Sequence, residues 1–231
     1  MAENTLSALL VDAGNTLLQL REPVGETYAR LGAPYGVSLS GADVDRRFRR
    51  AFRLWQGPRY QGDGRPFWRA VVREATTCDD PDYFEAVYGW YARAEAWGLA
   101  EGALDAFGAL RRAGTKVAVV SNWDSRLRPL LGALGVLSAV DAAFISCELG
   151  LEKPDPAIYR LACEGLGVLP AAALHVGDHP GKDAAAARAA GCGALLWGAE
   201  VKAFHQLANP ARRRRLLANQ AANQKTLPNS T

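Results

Sequence analysis

Cysteine is scarce in this chain: four in 231 residues (Cys78, Cys147, Cys163 and Cys192), far apart and without CxxC spacing. That excludes a disulfide framework and a zinc site of the paired-cysteine kind, and leaves reduced thiols in a cytoplasmic setting as the expectation. No apolar run approaches the roughly 18 residues a membrane span needs, which excludes a spanning helix. Met1-Ala2-Glu3-Asn4 has neither the basic region nor the apolar stretch that opens a signal peptide. No internal repeat is present. Acidic residues are missing from position 209 onward, where Arg212, Arg213, Arg214, Arg215 and Lys225 lie. The net charge of +3 therefore belongs to that end, and the rest of the chain is slightly acidic. A basic tail can hold nucleic acid or anionic lipid. More often it is a solvated helix end with a frayed terminus, so neither a nucleic-acid nor a membrane partner is expected. Residues 219–231, rich in Asn, Gln and Ser, offer little to pack and are expected to be mobile.

What is present is enough for a core. Hydrophobic residues make up 49% of the chain, and the length suits one large domain or a domain carrying an insertion. The stretch Leu9-Leu10-Val11-Asp12-Ala13-Gly14-Asn15-Thr16 reads as a buried strand over 8–11 that ends on one carboxylate and turns at once. In open α/β sheets, ligands bind outside the carboxyl ends of the strands. Gly14 would let the backbone come close to a ligand or ion.

Between 20 and 96 the pattern is helical. One helix is expected over 23–31, opened by Pro23. A second runs over 40–55, with Val44, Phe48, Ala51, Phe52 and Trp55 at helical spacing. A third carries Phe67, Trp68, Val71 and Val72, and a fourth begins at Asp79-Asp80-Pro81. The aromatics crowded here read as helix-packing core. From 102 onward helices alternate with strands expected over 116–121, 143–146, 174–177 and 194–197. That alternation argues for a doubly wound parallel sheet with helices on both faces. The organisation is thus an α/β core over 1–19 and 97–208, a helical cap over 20–96 inserted after the first strand, and a basic tail over 209–231.

Four strand ends or following loops then share one edge. They supply Asp12; Ser121-Asn122-Trp123-Asp124; Glu152-Lys153-Pro154-Asp155; and Gly177-Asp178-His179-Pro180-Gly181-Lys182-Asp183. Asp12, Asp178 and Asp183 side by side cannot all stay ionised without a cation, and oxygen ligands of this kind suit Mg²⁺ before Ca²⁺. Lys153 adds a positive point charge suited to a phosphoryl group, and Ser121 and Asn122 add neutral donors. An Asp so placed can act as a covalent nucleophile that accepts phosphate. Asp124 reads as a helix N-cap, His179 as an exposed loop residue and His175 as a satisfied core histidine.

These stretches, in this order, resemble the haloacid dehalogenase-like hydrolase superfamily in its capped phosphatase branch. Ser-Asn-Trp-Asp-Ser-Arg-Leu resembles the subgroup named for a rhythmically expressed fly gene. The resemblance implies that Asp12 attacks phosphorus, Ser121 binds the transferring group with Asn122 beside it, and Lys153 steadies Asp12. It implies Mg²⁺ held by Asp12, Asp178, Asp183 and the carbonyl of Gly14. It also implies a small phosphorylated substrate and a monomer or homodimer. One position departs from the family: an acid/base aspartate usual there is Gly14 here. General acid–base help is worth about 10²- to 10⁴-fold, so alkyl phosphates should suffer more than esters with good leaving groups. Two alternatives accompany the phosphatase reading. One is a 2-haloacid dehalogenase, a relative that also lacks the second aspartate but needs no metal and lacks the Gly-Asp-x-x-x-x-Asp stretch. The other is a non-catalytic module binding phosphate or a protein partner. Leaving-group contacts are expected from the cap, with Arg21, Arg59, Tyr60, Arg65 and Arg69 as polar candidates and 57–66 as a candidate lid.

Overall fold

A computed structural model describes residues 6–55, 59–209 and 211. The tail expected to be mobile lies, apart from 209 and 211, outside the described residues, as do positions 57 and 58 of the candidate lid.

The core is a five-stranded parallel sheet. Its strands are β1 (Ala8–Val11), β4 (Lys116–Ser121), β5 (Ala142–Ile145), β6 (Ala173–Gly177) and β7 (Gly193–Leu196), in the order β5-β4-β1-β6-β7. β1 is the middle strand, paired with β4 through Leu9↔Val117 and with β6 through Leu9↔Leu174. Its two faces enter different cores, because side chains alternate along a strand. Leu9 and Val11 pack with Phe107 and Leu110 of α5 (Ala103–Arg112) and with Leu127 and Leu130 of α6 (Leu127–Ala133). Ala8 and Leu10 pack with Ile158, Tyr159 and Ala162 of α7 (Ala157–Leu166). A strand buried on both faces is apolar throughout, which is why β1 was legible as a continuous run.

The chain leaves β1 for β4 on one side and later returns to β6 on the other. The order therefore reverses at β1, and the crevice at such a switch point is where ligands bind in this architecture. Asp12 and Asp178 follow the two strands that border it.

Between β1 and β4 sits the helical cap: α1 (Val24–Gly32), α2 (Gly41–Leu54), α3 (Arg65–Thr76) and α4 (Pro81–Trp90). Side chains cap the second and fourth of these helices. The Ser40 hydroxyl accepts from Asp43 N at 3.2 Å, and Asp80 Oδ1 accepts from Asp82 N and Tyr83 N. Tyr28, Val44, Val72, Tyr83 and Val87 form an apolar core of the cap's own. Two short strands absent from the sequence reading join cap to core: β2 (Leu18–Leu20) pairs antiparallel with β3 (Trp97–Leu99). The chain after Asp178 opens as a π-helical turn over Pro180–Ala185 before α8 (Ala186–Ala189). Among the described residues no helix is long and apolar enough to cross a membrane.

Candidate active site

Asp12 extends the ladder of β1 by one bond, its N–H donating to Val176 O at 2.9 Å. That pins the carboxylate at the sheet edge. Lys153, buried, reaches it from the loop before α7: Nζ lies 2.6 Å from Asp12 Oδ1 and 2.6 Å from Asp183 Oδ1. Ser121, last residue of β4, donates from Oγ to Asp12 Oδ1 at 3.2 Å. Asn122 bonds the backbone of Lys153 at both ends of its amide: Nδ2 donates to Lys153 O, and Oδ1 accepts from Lys153 N, both at 2.7 Å. In this arrangement Asn122 orients Lys153, and both ends of its amide are engaged there.

Asp183 is held from three directions. Oδ1 accepts from Lys153 and from His175 Nε2 (3.0 Å), while Oδ2 accepts from His179 N (2.9 Å). A Cβ at Gly177 would lie 2.3 Å from Asp183 Cγ, so a glycine there makes room for this carboxyl. Burial opposes ionisation of Asp183, but the His175 hydrogen bond and the Lys153 ammonium prevail and hold its carboxyl well below the usual range. Burial likewise opposes the charge on Lys153, and the two carboxylates outweigh it and raise the ammonium's pKa. Asp178 is different. Desolvation, then the charges of Asp12 and Asp183, raise its pKa.

His175 is wholly buried, with its pKa lowered first of all by desolvation. Its Nε2 must carry the proton to donate to Asp183, which leaves Nδ1 as an acceptor, and Nδ1 has no partner. The histidine is thus satisfied on one side only. His179 is exposed as expected, and its ring caps the π-helical turn by accepting from Gly181 N and Lys182 N.

The oxygens of Asp12, Asp178 and Asp183 lie within 4.8 Å of one another. Three carboxylates against one ammonium leave an excess of negative charge, which adds to desolvation in raising the pKa of Asp178. A hard divalent cation fits this donor set, and Gly14 lines the same cleft.

The cleft continues from these residues to the cap, with a volume of about 380 Å³. Its wall is a chain of rings in contact. From Trp123 it passes to Trp97 (centroids 5.2 Å apart), Tyr91 (6.1 Å) and Tyr28 (6.1 Å), then to Phe48 (5.8 Å), Phe52 (5.5 Å) and Trp68 (5.9 Å). The cap aromatics are its packing core, as their spacing implied, and several of them also face the cleft. Of the polar candidates, Arg59 and Tyr60 line it. Arg21 donates to Trp97 O, and Arg65 and Arg69 pair with Asp63 and Asp79 elsewhere. Asp124 is not the helix N-cap expected of it: α6 opens at Leu127 with Arg126 in the cap position, and Asp124 closes the turn before it. Besides accepting from Arg126 N it ion-pairs the Arg126 guanidinium at 2.7 Å and accepts from Trp68 Nε1 at 2.8 Å. No sequence signal pointed to that cap–core contact, because Trp68 and Asp124 are far apart in the chain.

A parallel α/β core with a lysine-bridged carboxylate cluster under a helical cap defines a hydrolase-type site on a doubly wound sheet. The model of the haloacid dehalogenase-like hydrolase family matches residues 6–191, and the chain belongs to that family. It is 35% identical over 181 residues to haloacid dehalogenase-like hydrolase domain-containing protein 3 of Mus musculus, covering 72% of each chain. It is 28% identical over 203 residues to the rhythmically expressed gene 2 protein of Drosophila melanogaster, covering 78% of each. Among solved structures it resembles a phosphatase of the same superfamily from Thermococcus onnurineus, with a TM-score of 0.63 and 21% identity over 87% of this chain and 95% of that one. At that identity the likeness speaks for the fold.

Proposed function

We propose that the chain is a Mg²⁺-dependent phosphatase that acts through an aspartyl-phosphate intermediate on a small phosphorylated molecule. The observation that carries this reading is Lys153 Nζ, 2.6 Å from both Asp12 and Asp183, inside a cluster of three carboxylates. Asp12 Oδ is the nucleophile toward phosphorus. Lys153 keeps it ionised and offsets phosphoryl charge, and Ser121 supplies a neutral donor beside it. Asp12, Asp178 and Asp183, with the Gly14 carbonyl, would hold Mg²⁺. When bound, the ion neutralises phosphoryl oxygens and lets the dianion approach a carboxylate. Asn122 and His175 act as positioning residues, on Lys153 and Asp183 respectively. The leaving group occupies the cap-covered cleft. A monomer or homodimer in the cytoplasm completes the proposal, and four cysteines free of disulfides fit a reducing compartment.

A dehalogenase has no use for the third carboxylate that Asp178 contributes. A pure binding module has no use for a nucleophile bridged by lysine and serine. The test is release of p-nitrophenol from p-nitrophenyl phosphate, with Mg²⁺ and with EDTA. Turnover with Mg²⁺ that falls on the order of 10²-fold or more in EDTA is the expected result. No turnover by the pure protein in Mg²⁺ would sink the phosphatase reading.

A further inference from the structure

Resting on the phosphatase reading, we infer that the substrate is an aryl phosphate monoester, its ring lying against Trp123 over Gly14 in the cleft between cap and core. Three observations converge on this class.

The first is the geometry at Gly14. Its backbone is outside the left-handed region, so any residue could adopt it, and conformation does not demand a glycine. What stands beside that position is an indole: a Cβ at Gly14 would come into contact with Trp123 Cζ3 at 3.4 Å. Trp123 is held there by its own backbone, whose N–H donates to Ser146 Oγ and whose carbonyl accepts from it. It is held as well by the edge of Trp97. The leaving oxygen's side of the site thus presents an aromatic surface instead of a proton donor.

The second is the wall beyond it. Offset or edge-on ring pairs add to area burial in holding an aromatic guest, and the unbroken chain of rings from Trp123 to Trp68 offers such partners along its length.

The third is how the polar groups are spent. Asp124 is taken by Arg126 and Trp68, and Asn122 by the Lys153 backbone. Arg59 lies on the Phe52 ring at 3.9 Å and donates to Phe52 O. Among the described residues lining the cleft, no carboxylate outside the three at the sheet edge is left to receive an ammonium. That weighs against amino-acid phosphates.

The chemistry agrees. Asp12 Oδ forms a bond to phosphorus as the bond from phosphorus to the aryl oxygen breaks, and the electron pair leaves as phenolate. A water then hydrolyses the aspartyl phosphate, its oxygen ending on inorganic phosphate. One of its protons goes to phosphate, the other to phenolate through solvent, and the Asp12 carboxylate is restored. A phenol with an ordinary pKa of about 10, like tyrosine's, departs without a proton donor, whereas an alkyl alcohol does not.

The experiment is steady-state kinetics with Mg²⁺ on phenyl phosphate, benzyl phosphate and acetyl phosphate, the last a good leaving group with no ring. The expected KM for phenyl phosphate is at least tenfold below that for acetyl phosphate. Benzyl phosphate should bind as a competitive inhibitor comparable to phenyl phosphate and turn over at least 100-fold more slowly. In Trp123→Ala the KM advantage of phenyl over acetyl phosphate should shrink roughly three- to tenfold. If that variant does not fold, competitive inhibition of the unaltered protein decides: phenylphosphonate should outcompete methylphosphonate at least tenfold. Acetyl phosphate turned over with equal or lower KM than phenyl phosphate, or the two phosphonates binding alike, would overturn the aryl class and leave the phosphatase reading intact. No turnover of any of the three would overturn both.

Discussion

Lys153→Met is expected to lower turnover of p-nitrophenyl phosphate about 10²- to 10³-fold, the cost of removing one well-placed electrostatic stabiliser from a reacting centre. It is expected to destabilise the metal-free protein as well. The ammonium is buried and is the group shared by Asp12 and Asp183. Removing one partner of a buried ion pair costs about 3–5 kcal/mol, which for a chain of this size lowers Tm by about 10 °C. Because the lost charge was positive, a divalent cation should recover part of it. Mg²⁺ should therefore raise the Tm of Lys153→Met more than that of the unaltered protein, read by calorimetry with and without EDTA. A variant with unchanged Tm in EDTA would mean that the cluster does not depend on the lysine for its charge balance.

Gly14→Asp carries the second large expectation, and it is a gain. A carboxyl two residues after Asp12 restores the acid that the family usually has, and such help is worth about 10²- to 10⁴-fold. The indole of Trp123 stands 3.4 Å from where the new Cβ would sit. The Cβ itself fits, but the carboxyl must share space with the ring, and overpacking of this kind is costly. Gly14→Asp alone should therefore raise kcat/KM for ethyl phosphate by about tenfold. Combined with Trp123→Ala the gain should reach on the order of 10²-fold. Ethyl phosphate is the probe because it carries an alkyl oxygen and has no ring whose binding the second substitution would disturb. If neither the single nor the double variant moves ethyl phosphate turnover, the poor leaving-group range has a cause other than the missing acid.

Much of the site was legible because it is written in short segments at strand ends. Asp12, Ser121, Lys153, Asp178 and Asp183 each follow a recognisable apolar strand or precede a helix, and a parallel sheet brings such ends to one edge. The cap helices announced themselves through Ser40 and Asp80 and through aromatic spacing. Contacts between distant segments were not legible. Leu18–Leu20 and Trp97–Leu99 are three residues each, too short for a period-2 pattern to stand out, and only their pairing makes them strands. The Asp183 carboxyl, inside the π-helical turn after Asp178, is fixed by Lys153, His175 and His179, contacts that no local propensity records. His175 read as one more core residue until Asp183 was found against it. Trp123 read as one aromatic among many; that it fills the space beside Gly14 depends on β4 lying next to β1. The family resemblance singled out Gly14, and the fold set Trp123 beside it.

The central claim is that Asp12 is the nucleophile, and the most direct measurement is to trap the phosphoenzyme. Pure protein turning over p-nitrophenyl phosphate in Mg²⁺ is quenched in acid, digested, and its peptides are read by mass spectrometry. The expected result is a phosphoryl adduct on the peptide containing Asp12, sensitive to hydroxylamine as an acyl phosphate is. The Asp12→Asn protein should show neither the adduct nor turnover above about 10⁻³ of the unaltered rate. Turnover that survives in Asp12→Asn, or a phosphoryl adduct located on another residue, would contradict it.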